Sequence, residues 1–166
     1  MKNNKLNYQK IAIKLASDSK KTIGFISFDE VESSDIVIKI AKECAKIKNT
    51  VYLNFTDMDN YFISDYTTMI KKEDNLARID ISLTEDSSNL INSDEFKKLI
   101  FDLKNKFDLI LINESKDEAI SYLLSAFDDE KILIAYENKT SKSKVVDAKK
   151  EFERLGSPIM GVVYNI

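Results

Sequence analysis

The chain contains no histidine. That removes every site built on imidazole, both the Ser–His and Cys–His nucleophile pairs and the His-ligated metals. Its one cysteine, Cys44, excludes a disulfide within the chain and points to a reducing compartment. No apolar run approaches the ~20 residues of a membrane-spanning helix. The opening MKNNKLNYQK leads into no apolar signal-peptide core. Basic residues number 25 against 28 acidic ones, for a net charge of −3, so the basic face needed for broad nucleic-acid binding is lacking. One proline and three glycines leave few sharp stops, and element boundaries are correspondingly soft. These absences together describe a cytoplasmic protein that binds no nucleic acid and inserts no segment of its own into a membrane.

What is present is enough for one full core. The 166 residues, 43% of them hydrophobic, form a single domain over 1–166. A leading helix is expected over residues 5–18, with Leu6, Ile11, Ile13 and Leu15. Thr22–Phe28 reads as a buried strand. The next helix carries Ile36, Ile40 and Cys44 on one row and Val37, Ala41 and Ala45 on another. Ser33 or Ser34 caps it, and Asp35 in its first turn suits the helix dipole. Strands are expected at Thr50–Phe55, Ala77–Leu83, Leu109–Ile112, Ile132–Tyr136 and Ile159–Tyr164. Helices are expected around Phe96–Phe107, over 117–127, and over Val145–Leu155, the last stopped by Gly156 and Pro158. A weak helical segment falls near Tyr61–Ile70. Strands alternating with helices define an α/β domain, a three-layer, mostly parallel, doubly wound sheet.

The order of these segments resembles the bacterial tyrosine kinases of capsule and exopolysaccharide synthesis. With the MinD and ParA proteins, these are P-loop ATPases carrying a deviant Walker A motif. The pieces that carry the resemblance are the strand–loop–helix TIGFISFDEVESSDIVIKIA at 22–41, FDLILIN at 107–113, ILIAYENKT at 132–140 and RLGSPIMGVVYN at 154–165. It covers about residues 8–165. It implies a P-loop-type fold, and a kinase that docks on a membrane adaptor and assembles into rings or dimers.

Matched onto that family, the loop departs from its pattern. The lysine position falls on Ser33, the following serine is kept as Ser34, and the two loop glycines fall on Glu30 and Glu32. Glycines let loop amides close on phosphate, and the lysine supplies charge. A carboxylate ~5 Å from a phosphate charge opposes it by ~3 kcal/mol at an effective dielectric near 20. That is about a hundredfold in affinity. Phe55 replaces the first acid of the second-strand pair, Asp57 keeps the second, and Asn113 stands at the Walker B aspartate. An amide cannot supply the anionic oxygen that Mg²⁺ prefers.

The resemblance therefore implies a pseudo-kinase or pseudo-ATPase. Such a protein has no catalytic residue, metal or cofactor, and acts through a protein partner, a membrane adaptor or another copy of itself. Any peripheral membrane location would run through that partner. The alternative is a residual ATPase or tyrosine kinase using ATP–Mg²⁺ at a non-standard site, made of Ser33, Ser34, Asp57, Asn113 and Asn165. Structural readings stand beside each of these residues. Ser34 reads as a helix cap, Asp57 as a loop acid, and Asn113 and Asn165 as solvated strand ends. Cys44 reads as core, and the lysines of 139–150 as a solvated helix face. Tyr61 and Tyr66, in a polar segment, suit a partner-facing patch.

Overall fold

Apolar runs four to seven residues long, separated by amphipathic stretches, set the elements of this chain. The computed structural model describes residues 2–17, 22–27, 33–56, 71–82, 87–114, 118–137 and 139–165. The strands are β1 (Thr22–Ile26), β2 (Thr50–Thr56), β3 (Lys71–Glu73), β4 (Leu76–Ser82), β5 (Leu109–Asn113), β6 (Glu130–Tyr136) and β7 (Ile159–Asn165). The helices are α1 (Lys2–Ser17), α2 (Ser34–Ala45), α3 (Ser87–Asn92), α4 (Asp94–Lys106), α5 (Glu118–Leu124) and α6 (Lys142–Arg154). No described helix is long and apolar enough to cross a membrane.

The strands form one seven-stranded sheet in the order β3-β4-β2-β5-β1-β6-β7. Every pairing is parallel except the short antiparallel hairpin of β3 with β4. The doubly wound, mostly parallel architecture read from the sequence is the one observed. β3 and α3 were not foreseen, because neither KKE nor SSNLIN carries an apolar period. The Tyr61–Ile70 segment, with Tyr61 and Tyr66, lies outside the described residues.

Successive residues of a strand point to opposite faces, so continuous apolar strands must be covered on both. On one face, Ile23, Phe25, Tyr52, Leu109, Leu111, Ile132 and Ile134 pack with α1 and α2. On the other, Val51, Leu53, Ile110 and Ile112 meet Phe96, Leu99 and Leu103 of α4 and Ile120 and Leu124 of α5. Further along that face, Ile26 and Leu133 meet Ala148 and Phe152 of α6. The two apolar rows of α2 are buried as expected, with Cys44 in the core. Burial raises its thiol to about 12, which keeps it protonated. In α1 the buried residues are Ala12, Leu15 and Ala16, while Ile13 is 59% exposed. The helix face there is set by small residues that the apolar count did not weigh.

Caps follow local chemistry. Ser93 and Ser141 accept from the third amide along, at Phe96 and Lys144. Helix α6 ends in a Schellman turn at Gly156 (φ 79°), where Ser157 N–H donates to Phe152 O and Gly156 N–H to Glu153 O.

Between the two apolar clusters of the second face lies a buried charged group. Lys131 pairs in register with Gly24. Its Nζ donates to Asp128 Oδ2 at 2.5 Å and to Glu114 Oε1, with all three side chains fully buried. The Phe152 ring lies 5.1 Å from the ammonium. Burial pulls the Lys131 ammonium down, and the two facing carboxyls more than reverse this. Burial pushes Glu114 well above the ordinary 4.5, opposed by Lys131 and reinforced by Asp128. One cation cannot hold two buried carboxylates ionised at low cost, so burial favours the protonated form of Glu114.

Gly24 is required here for space. A Cβ on it would overlap Glu114 Oε1 and come within 2.7 Å of Asp128 Oδ2. Gly24→Ala should therefore cost at least ~1–3 kcal/mol, read as a lower urea midpoint.

The sign of the Glu114 linkage is fixed by its raised folded-state pKa. The folded chain holds a proton that the unfolded chain releases, so this group's contribution falls as pH climbs from about 4.5 through the folded value. Glu114→Gln removes that term. The stability of the variant relative to wild type should rise as pH climbs above about 4.5 in urea titrations. A difference that does not vary with pH would contradict a protonated Glu114.

Candidate functional site

In doubly wound sheets, ligands sit beyond the carboxyl ends of the strands. At that edge, on the α1/α2 face, the chain assembles a connected polar network. Ser33, at the start of α2, donates from Oγ to Asn113 Oδ1 at 2.8 Å. Asn113 Nδ2 donates to Asn54 Oδ1 at 2.8 Å, and Tyr52 OH donates to the same oxygen at 2.9 Å. Asn54 Nδ2 donates to Asp80 Oδ1 at 3.0 Å. Asp80 also accepts from Arg78, whose Nη2 lies 2.8 Å away and whose guanidinium carbon is 5.8 Å from the Tyr52 ring centre. Those hydrogen bonds hold the Arg78 guanidinium above its ordinary value, against its partial burial.

Strand register builds this network. Asn54 is the parallel partner of both Asn113 and Asp80, and Tyr52 is the partner of Arg78. Alternation then puts Tyr52 and Asn54 on the same face of β2. Ser33, Asn54 and Asn113 are each at most 6% exposed, so every bond in this group is made away from water.

The structure thus brings Ser33 and Asn113 together. Asn113 is a buried junction of two hydrogen bonds, which corrects the expectation of a solvated strand end. The neighbouring strands and α2 cover it. Ser33, whose carbonyl accepts from the amides of Ile36 and Val37, is the helix-starting residue, and its side chain makes no capping bond. That hydroxyl is spent on Asn113 instead. Ser34 sits half-buried in the first turn. Asn165 ends β7, separated from β5 by β1 and β6 in the sheet. Asp57 lies outside the described residues. Phe55, at the lost acid position, is buried and packs against Phe96 at a centroid distance of 6.2 Å.

Two groups escaped the sequence reading. Asn54 was passed over as one polar residue inside an apolar strand, although a lone amide at such a position is itself a sign of a buried partner. Glu114, Asp128 and Lys131 form the second group, and none of them was singled out. The signal was a lysine directly before an apolar run and an acid directly after one.

Mg²⁺–triphosphate needs an anionic oxygen for the metal and positive charge for the phosphates. The network offers two hydroxyls, of Ser33 and Tyr52, and two amides, bonded to one another. Its carboxylate, Asp80, is held by Arg78 and Asn54. Among the described residues no cluster of three or more His, Cys, Asp or Glu side chains could hold a metal. These residues do not fit the nucleotide and metal of a working P-loop.

No protein-family model and no curated protein matches the sequence. Solved structures do match. The VpsO kinase domain superposes with a TM-score of 0.82 at 16% identity, covering 99% of this chain and 96% of that one. The kinase domain of the Escherichia coli tyrosine kinase ETK gives 0.72 at 12% identity, over 93% and 71%. A ParA family ATPase from Chlorobium tepidum gives 0.63 at 16% identity, over 89% and 73%. The chain therefore has the P-loop NTPase-like α/β fold of bacterial tyrosine kinase domains and ParA-type ATPases. At these identities the likeness is one of fold.

A charged group at position 113 would break the network. Asn113→Asp loses the donor to Asn54 and sets two acceptor oxygens against each other. The expected cost is ~1–3 kcal/mol near neutral pH. The loss should shrink on acidification, as a protonated carboxyl regains a donor. Urea denaturation at neutral and acidic pH checks both points.

Proposed function

We propose that this domain is a P-loop-type scaffold retired from nucleotide chemistry, working through contacts with other proteins. The observation that carries the reading is the direct Ser33–Asn113 hydrogen bond. Two neutral side chains close on each other at the edge where this kind of fold would present charge to a bound nucleotide. The sequence supports the same reading, because Glu30 and Glu32 stand at the matched loop glycines and no lysine lies between Phe28 and Ile38.

The likeness to tyrosine kinase domains suggests the setting. The domain would serve in regulation or assembly of surface-polysaccharide synthesis and export, held at the membrane by an adaptor partner, or in a MinD-like scaffolding task. It would need no cofactor. The competing reading, a residual ATPase or kinase, would have to work with Ser34 and Asp57 and without the lysine and the Walker B acid.

Isothermal titration with Mg²⁺–ATP separates the two. Adding a repulsion of ~3 kcal/mol to the loss of the lysine should leave no binding below millimolar concentration. A micromolar dissociation constant, or turnover that falls in Asp57→Asn, would defeat the proposal.

A further inference from the structure

Away from the polar network, the sheet ends at β7. β7 is the terminal strand, and among the described residues only β6 pairs with it. Its sequence, IMGVVYN, holds no charge and no proline. Exposed strand edges are ordinarily protected by lysine, proline, bulges or a covering element, because their free N–H and C=O groups invite another strand. β7 has one register shift, at Met160, and pairs regularly with β6 from Gly161 to Asn165.

Beside this edge runs a groove of about 500 Å³ between α1 and β7. Met160 and Val163 contribute to its apolar lining, Tyr8 and Tyr164 are also part of it, and Lys10 and Lys14 supply its charge. Tyr164 is 61% exposed. No acidic residue lines the groove. The whole of α1, KNNKLNYQKIAIKLAS, has lysines and no acid. Neither Lys10 nor Lys14 forms an ion pair with a described residue.

We propose that β7 and this groove take an extended, acidic segment of another protein, added to the sheet as a further strand beside β7. This rests on the reading of the domain as a protein-binding scaffold, and it names the kind of segment bound. Main-chain hydrogen bonds to β7 supply register, and alternate side chains of the segment enter the apolar groove. Carboxylates along the segment meet Lys10 and Lys14. Those pairs are exposed, so they contribute selectivity and association rate more than affinity. A second copy of this chain fits less well, because its own α1 would bring lysines against lysines.

The test uses the full chain, immobilised, to select from a random peptide library seven residues long, the length of β7. Selected peptides are then synthesised for fluorescence anisotropy and for amide hydrogen exchange on the domain. Three results are expected together. The selected peptides carry net negative charge. They slow exchange within Ile159–Asn165. They bind about tenfold more weakly to a Lys10→Glu, Lys14→Glu double variant, two surface charges being reversed.

Backbone N-methylation of the peptide should abolish binding without any change to the protein, so a variant that folds poorly does not decide the matter. The proposal is overturned by an empty selection, by neutral or basic winners, by exchange at β7 that does not change, or by N-methylated peptides that bind as well. It is also overturned if the wild-type chain sediments as a dimer that Tyr164→Lys dissolves, since β7 would then join two copies. Mg²⁺–ATP binding would defeat the scaffold reading and leave these peptide results standing, so the two failures are distinguishable.

Discussion

A lysine buried on β6, against the face of the sheet, ties β5, β1 and β6 together. Lys131 on β6 reaches Glu114, just past β5, and Asp128, just before β6, in the space left by Gly24 on β1. Buried ion groups add little net stability over apolar side chains of the same shape. What this one does is restrict pairing. Slipping β6 by one residue against β1 would turn Lys131 to the opposite face, among Ile23, Phe25 and Tyr52, with no carboxyl to meet it. Gly24 and Lys131 therefore have to stay in register, and the positions of β5, β1 and β6 follow from that.

The two faces of the same strands handle polarity in opposite ways. Under the second face, charge is retained and met internally, Lys131 facing Glu114 and Asp128. At the carboxyl edge of the first face, the bonding groups of Ser33, Asn113 and Asn54 are neutral and satisfy one another. A working phosphate site keeps donors and charge unspent until the ligand arrives. Among the described residues these three groups are bonded to one another, which ties α2, β5 and β2 together at this edge. At β7 and α1, a strand edge unpaired among the described residues borders a lysine-rimmed apolar groove.

Much of the fold was legible because its signals are local. Leu109–Ile112 and Ile132–Tyr136 are continuous apolar runs, and Ile36, Ile40 and Cys44 recur at helical spacing. Gly156 followed by Pro158 ends a helix by backbone geometry alone. The lysine-rich face of α6 and the core position of Cys44 follow from the same periodicity. β3 was invisible because Lys71–Glu73 pairs through its backbone and buries no apolar stripe that would mark it. That Ile13 stays exposed was not readable, because Leu15 and the small Ala12 and Ala16 carry the buried residues of α1 among those described. At the candidate site, Ser33 and Asn113 were singled out as replacements for lost groups. That they touch, and that Asn54 joins them, was not readable, since they are 80 and 59 residues apart from their bonding partners.

The sequence by itself determined the alternation of elements, the two-sided burial of the strands and the loss of charge at the matched nucleotide positions. Each of these depends on residue type and on spacing within one segment. Tertiary structure alone decided the fate of the polar residues. Strand register chose which of them became neighbours, so that Asn113 found Asn54 and Ser33, and Lys131 found Glu114 across from a glycine. It also decided which edge of the sheet was left open. Hydrogen bonds and ion pairs between distant segments depend on distances of a few ångströms, and only the assembled sheet sets those distances.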